Sequence, residues 1–159
     1  MKRIAIILTA LLITTTIIAF FIPTNASAGA ENNPEIIDAS GDANDDEQPA
    51  GGSVDHLDIL AAWFSDISDS TFRITMKIKS ISSLEDGTDY ATLWDFEGIK
   101  YYAWMKIDSD GNVNFVYGYH DEGYYTKLGD TTGEWVSGAP AYIKINVSKN
   151  GVGSPEANG

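Results

Sequence analysis

The residues of this chain that could do chemistry fall into four small groups. Tyr102 and Trp104 alternate along one stretch and so share a face. A flat aromatic face of that kind stacks on the C–H side of a sugar ring and excludes water; the competing reading is that another strand covers it as core. Trp135 stands in a glycine-rich stretch and is a second candidate for ligand contact. Asp38, Asp42, Asp45 and Asp46 cluster around Gly41. Carboxylates on a glycine-containing loop are what a hard cation such as Ca²⁺ takes, and a solvated acidic loop is the other reading. Asp95 and Glu97 would sit about 6.6 Å apart on an extended strand, near the separation of an inverting glycosidase pair. Adjacent i, i+2 acids on a strand ordinarily face solvent, and no Gly-x-Ser-x-Gly, His-Glu-x-x-His or phosphate-binding loop accompanies them. A non-catalytic protein is therefore expected. Asn146-Val147-Ser148 is an N-glycosylation sequon on an outward-facing position.

The elements that must position these groups read as strands. Residues 99–120 hold two apolar-periodic runs around Asp108-Ser109-Asp110-Gly111. A two-residue Asp110-Gly111 loop would put Met105 opposite Val116 and Trp104 opposite Tyr117. A type I turn over Ser109-Asp110 with Gly111 left-handed moves every pair by one, so that Ile107 faces Val113, Met105 faces Phe115, Ala103 faces Tyr117 and Tyr101 faces Tyr119. Only this second register puts both apolar sets on one side, and Asp first with Gly fourth suits type I. The reverse face then carries Tyr102, Trp104 and Lys106, with a glycine across from Tyr102. DSDGN also resembles the start of a calcium loop, but the positions that need Gly and Glu are Val113 and Tyr119.

Elsewhere, Thr71 to Lys79 is the cleanest alternation in the chain, with Phe72, Ile74, Met76 and Ile78 inward and Arg73, Thr75, Lys77 and Lys79 outward. Before it, Leu57, Ile59, Ala61 and Trp63 are expected on one face, with Ser65 to Ser70 as the turn between the two strands. Tyr90, Thr92, Trp94 and Phe96 form another inward set, as do Ala141, Ile143, Ile145 and Val147. Tyr124 to Leu128 is a short strand, residues 129–133 a turn, and Trp135-Val136 the start of a further strand. No helical periodicity competes. Seven to nine short strands at regular spacing predict an all-β, antiparallel β-sandwich of immunoglobulin-like or jelly-roll-like kind. The chain stops soon after a strong strand, so a closing strand or further domains are expected beyond residue 159.

Lys2-Arg3, the apolar run Ile4 to Ile22 and Ala26-Ser27-Ala28 read as a secretory signal peptide over residues 1–28, with an uncleaved N-terminal membrane anchor as the alternative. Both place the rest outside the cytoplasm, secreted or at the cell surface. Residues 29–53 read as an acidic flexible linker with an edge strand at 35–38, residues 54–149 as the sandwich, and residues 150–159 as a flexible tail. The absence of cysteine rules out a disulfide framework and thiol chemistry. The formal charge is −13 and grows two units more negative once Lys2 and Arg3 leave. Such a surface repels phosphate backbones and anionic lipid, so no nucleic-acid partner is expected.

Asp38-Ala39-Ser40-Gly41-Asp42, then a strand opening Leu57-Asp58-Ile59, then an amphipathic strand and a Tyr/Trp-rich hairpin, together resemble the β-sandwich modules of the DOMON and family-9 carbohydrate-binding-module group. The resemblance spans about Glu35 to Val147. It implies a non-catalytic module that binds sugar, haem or another protein. The expected partner is an extracellular glycan or a surface protein.

Overall fold

The computed structural model describes residues 29–41, 43, 54–84 and 88–153. The leader over residues 1–28, the acids Asp42, Asp45 and Asp46, and the end of the tail at 154–159 lie outside the described residues.

Among the described residues nine strands form two antiparallel sheets: β1 (Ile36–Ile37), β2 (Ile59–Ser68), β3 (Thr71–Ile78), β4 (Asp89–Phe96), β5 (Ile99–Ile107), β6 (Val113–Asp121), β7 (Tyr124–Thr131), β8 (Gly133–Val136) and β9 (Ala141–Ser148). One sheet runs β1-β2-β3-β9-β8 and the other β4-β5-β6-β7. The sheets pack face to face as an all-β sandwich. The core between them is built from the inward sets of β3, β5 and β9, with Phe72, Ile74, Met76, Ile78, Ala103, Met105, Ile143, Ile145 and Val147 all buried. Alternation places these side chains on one face of each strand, and the removal of that apolar area from water is the main driving force.

The β5–β6 hairpin adopts the register expected from side-chain facing. Ile107 pairs with Val113, Met105 with Phe115, Ala103 with Tyr117 and Tyr101 with Tyr119. Gly111 N donates to the Asp108 carbonyl at 2.9 Å and Gly111 takes φ 78°, the left-handed value that completes the turn. The Asp108 carboxylate closes the loop by accepting from Asn112 N at 2.8 Å and Asp110 N at 3.0 Å. The β4–β5 and β6–β7 connections are both two-residue Glu-Gly turns, with Glu97 and Glu122 themselves at positive φ.

Three differences from the sequence reading have local causes. In β2 a bulge at Leu60 shifts the register between Ile59 and Ala61. Ile59, Ala62 and Phe64 therefore face the core, whereas Ala61 and Trp63 turn to the outer face, where Trp63 meets Tyr142 edge-on at 6.5 Å. The expected turn at Ser65–Ser70 tightens to Asp69-Ser70, because β2 runs on to Ser68. Residues 129–131 belong to β7 rather than to a turn: a second bulge at Leu128 carries the strand past Gly129, over which the Tyr117 ring lies. The chain then crosses from one sheet to the other in a single residue, Thr132, between β7 and β8. Gly133 makes that corner possible, since a Cβ there would stand 2.5 Å from the Phe115 ring and 2.6 Å from the Lys144 carbonyl oxygen.

The N-terminal segment lies on the five-stranded sheet. Its Ile36 and Ile37 pair with Ala62 and Ala61 of β2 as the edge strand β1. Glu31 reaches Lys77 at 2.9 Å and accepts from the Tyr142 hydroxyl at 2.7 Å. At the other end of the chain, a 3-10 turn over Lys149–Val152 buries Val152, and the Lys149 ammonium pairs with Asp66 at 2.8 Å.

Candidate functional site

The outer face of the four-stranded sheet carries a contiguous aromatic group. Tyr102 and Trp104 of β5 have ring centroids 4.7 Å apart. Tyr125 of β7 lies 4.8 Å from Trp104 and 5.3 Å from Tyr102. His120 of β6 stands 4.7 Å from Tyr125. The Lys106 ammonium sits 4.4 Å from the Trp104 ring centroid, within cation–π range, and is also 3.3 Å from Asp89.

This cluster depends on Gly118. It pairs with Tyr102 across the sheet, and a Cβ there would overlap the Thr126 carbonyl oxygen and stand 2.7 Å from the Tyr102 hydroxyl. The empty position lets Tyr102 lie across β6 and reach Tyr125. Tyr102 is consequently only 2% exposed, and its burial pushes the phenol pKa up, opposed by the positive charge of Lys127. It supports the surface from beneath. The rings that meet solvent are Trp104, partly exposed, and Tyr125, 47% exposed. Tyr125 is the residue the sequence reading missed. The signal was present in the Tyr124-Tyr125 pair, but it is the two-residue Glu122-Gly123 turn, pairing Tyr125 with His120, that decides which of the two shares the face of Trp104.

A cleft of about 720 Å³ opens at the end of the sandwich beside the two Glu-Gly turns, walled by Ile99, Tyr101, Tyr119, Leu128 and Gly151. Lys100, His120 and Asp121 supply polar groups to it. His120 belongs to both places, so the aromatic surface and the cleft meet at that imidazole. Shape, apolar walls and a few convergent polar groups are the ordinary makings of a small-molecule site.

The other expected residues lie elsewhere. Trp135 is on β8 opposite Ile143 and packs against the core, well apart from Trp104 in the fold and in the other sheet. Asp38 is exposed, and its carboxylate accepts from Ala39 N at 2.9 Å. Among the described residues no group of three or more His, Asp or Glu side chains is placed to hold a metal ion. Asn146 faces outward on β9 with its amide engaged: Oδ1 accepts from Arg73 Nε at 3.0 Å and Nδ2 donates to Thr132 Oγ1 at 2.9 Å. A glycan on Nδ2 would have to displace that second bond. Asp95 and Glu97 do not form a pair on one strand face. Asp95 ends β4 by accepting from Gly98 N at 3.1 Å, and Glu97 is already in the turn.

Asp58 holds a place the sequence did not reveal. It is 2% exposed, and its Oδ2 accepts from Gly41 N at 2.7 Å with Lys79 at 3.5 Å, while Oδ1 has no hydrogen-bond partner among the described residues. It ties the Gly41 loop to the start of β2. No protein-family model matches the chain, and no curated protein or solved structure matches it.

Proposed function

We propose that this protein is a non-catalytic binding module of the cell exterior, and that its ligand is a carbohydrate lying on Trp104 and Tyr125. The observation that carries this reading is the pair of solvent-facing rings on one sheet face, held by the buried Tyr102 and bordered by hydrogen-bond donors on Lys106, Lys127 and His120. Aromatic faces take up the apolar C–H side of a pyranose, and the surrounding donors suit its hydroxyls. The resemblance to DOMON and family-9 carbohydrate-binding modules supports the same class, and the leader-like residues 1–28 support an exterior location. The test is a glycan array probed with the wild-type chain and with Trp104→Ala. Binding to one glycan class that Trp104→Ala abolishes supports the reading; binding that survives the substitution, or no binding to any glycan, counts against it.

A surface protein is the second reading for the same face. Leu93 of β4, paired with Tyr102, is 46% exposed and extends the aromatic surface with an aliphatic one. Apolar area of this kind is also what a protein partner buries.

A further inference from the structure

Glu35 holds the backbone nitrogen of Gly29 in a prepared socket. Gly29 is buried, and its N donates to Glu35 Oε1 at 3.0 Å. The second carboxylate oxygen, Oε2, accepts from Phe64 N of β2 at 3.1 Å, so the acceptor is fixed by the sheet. Ala30 and Asn33 exchange backbone hydrogen bonds of 3.2 and 2.9 Å, which turns the chain back and returns Gly29 to Glu35. Glu31, within that turn, is anchored to Lys77 and Tyr142. A Cβ at residue 29 would fall on the Glu35 carboxylate, so only glycine leaves the socket filled as it is.

From these contacts we infer that Gly29 is the first residue of the mature chain and that its α-ammonium is seated on the Glu35 carboxylate. Ala26-Ser27-Ala28 places small residues where a signal peptidase requires them, with the scissile bond between Ala28 and Gly29. The socket and the cleavage pattern are separate observations, and they meet at the same bond. Water supplies the hydrolysis: the C–N bond breaks, Ala28 leaves as a carboxylate, and the Gly29 nitrogen takes up the protons and becomes an ammonium. In the uncleaved chain the Gly29 nitrogen is a neutral amide with one hydrogen to give. After cleavage it carries a full charge and three hydrogens, and the contact to Glu35, in which only the acceptor was charged, becomes an ion pair. A buried ammonium without a counter-charge would be costly, and Glu35 provides that charge. Release of the leader therefore tightens the hold of the N-terminal segment on the five-stranded sheet, and with it the pairing of β1 at that sheet's edge.

The full precursor, produced in a secreting host, tests this directly. Intact mass and N-terminal sequencing of the released protein are expected to start at Gly29; another first residue, or a retained leader, overturns the inference. Thermal unfolding then tests the seat. Glu35→Gln keeps the shape and removes the charge, and is expected to lower the melting temperature of the mature chain by roughly 4 °C. The same substitution should cost clearly less in a chain that keeps Ala26-Ser27-Ala28 ahead of Gly29. Equal losses in the two chains overturn the ammonium seat. If Glu35→Gln does not fold, a mature chain acetylated at the Gly29 amine alone, by an N-terminal acetyltransferase or by ligation of an acetylated N-terminal peptide, probes the same charge with every lysine intact: a lower melting temperature supports the seat and an unchanged one overturns it.

Discussion

Tyr102 lies directly across from Gly118, and the side chain that Gly118 lacks is the space through which Tyr102 reaches Tyr125. Gly118→Ala puts a methyl group against the Thr126 carbonyl, which is backbone and cannot swing aside. The expected cost is about 1–3 kcal/mol, the range for overpacking. Urea unfolding measures it, and the intrinsic fluorescence of Trp104 should shift as the cluster loosens. A variant as stable as wild type would mean that Tyr102 does not cross β6 as described.

Trp104 and Trp135 should separate binding from stability. Trp104→Ala and Tyr125→Ala each remove a solvent-facing ring and are expected to weaken glycan binding at least tenfold, about 1.4 kcal/mol, with small effects on unfolding. Trp135 packs against the core, so Trp135→Ala is expected to cost roughly 2–3 kcal/mol of stability, below the range for a fully buried Trp, and to leave binding intact. Titration calorimetry beside urea unfolding reads both quantities. The reverse pattern would place the ligand on the five-stranded sheet.

Asp58 is expected to matter more than its surface-loop neighbours. Asp58→Ala strands the Gly41 N–H and removes a buried carboxylate that faces Lys79. The expected loss is about 1–3 kcal/mol. Asp38→Ala, at an exposed site, should stay within about 0.5 kcal/mol. Equal losses at the two positions would argue against the tie between the Gly41 loop and β2.

Acid and alkali should each erode stability by an assignable route. The Lys77 ammonium holds Glu31 below the ordinary carboxylate range, the Asn112 backbone N–H does so for Asp108, and Lys144 does so for Glu134. A depressed carboxylate binds its proton more weakly in the folded chain, so its contribution is complete above the unfolded value and disappears as pH falls through the folded one. Unfolding midpoints should therefore decline below about pH 4. Lys77, raised by Glu31, and Tyr102, raised by burial, work in the opposite sense, and their contribution is lost as pH climbs beyond about 10. Asp108→Asn should flatten the acid decline; an unchanged slope would remove Asp108 from the account.

Much of the sandwich was legible because its strands obey a two-residue period. Phe72, Ile74, Met76 and Ile78 announce their face without help, and the facing of Met105 and Phe115 selects the hairpin register before any coordinate is known. The register shifts at Leu60, Ile67 and Leu128 escaped, because such a shift is written in the partner strand as much as in its own. The shift at Leu60 sends Trp63 to the outer face and the one at Leu128 carries β7 on to Thr131, while the two-residue Glu122-Gly123 turn pairs Tyr125 with His120 and so sets it on the face of Trp104. The aromatic face was legible only as a pair: Tyr102 and Trp104 look equivalent along the chain, and it takes β7, brought alongside β6, to bury one and leave the other open. The burial of Asp58 and of Gly29 depends on contacts between distant segments, which no local pattern encodes.

The last strand among the described residues lies in the interior of its sheet. β9 fills the gap between β3 and β8, and Ile74 waits for Ile145 across most of the domain. A ribosome or export channel delivers β3 long before its neighbour exists, so the nascent chain travels with an open hydrogen-bonding edge beside its most apolar surface. Late closure of this kind makes for slow folding. It also means that a chain broken off ahead of Ala141 is left with that edge free to recruit other molecules, and should precipitate rather than settle into a smaller domain.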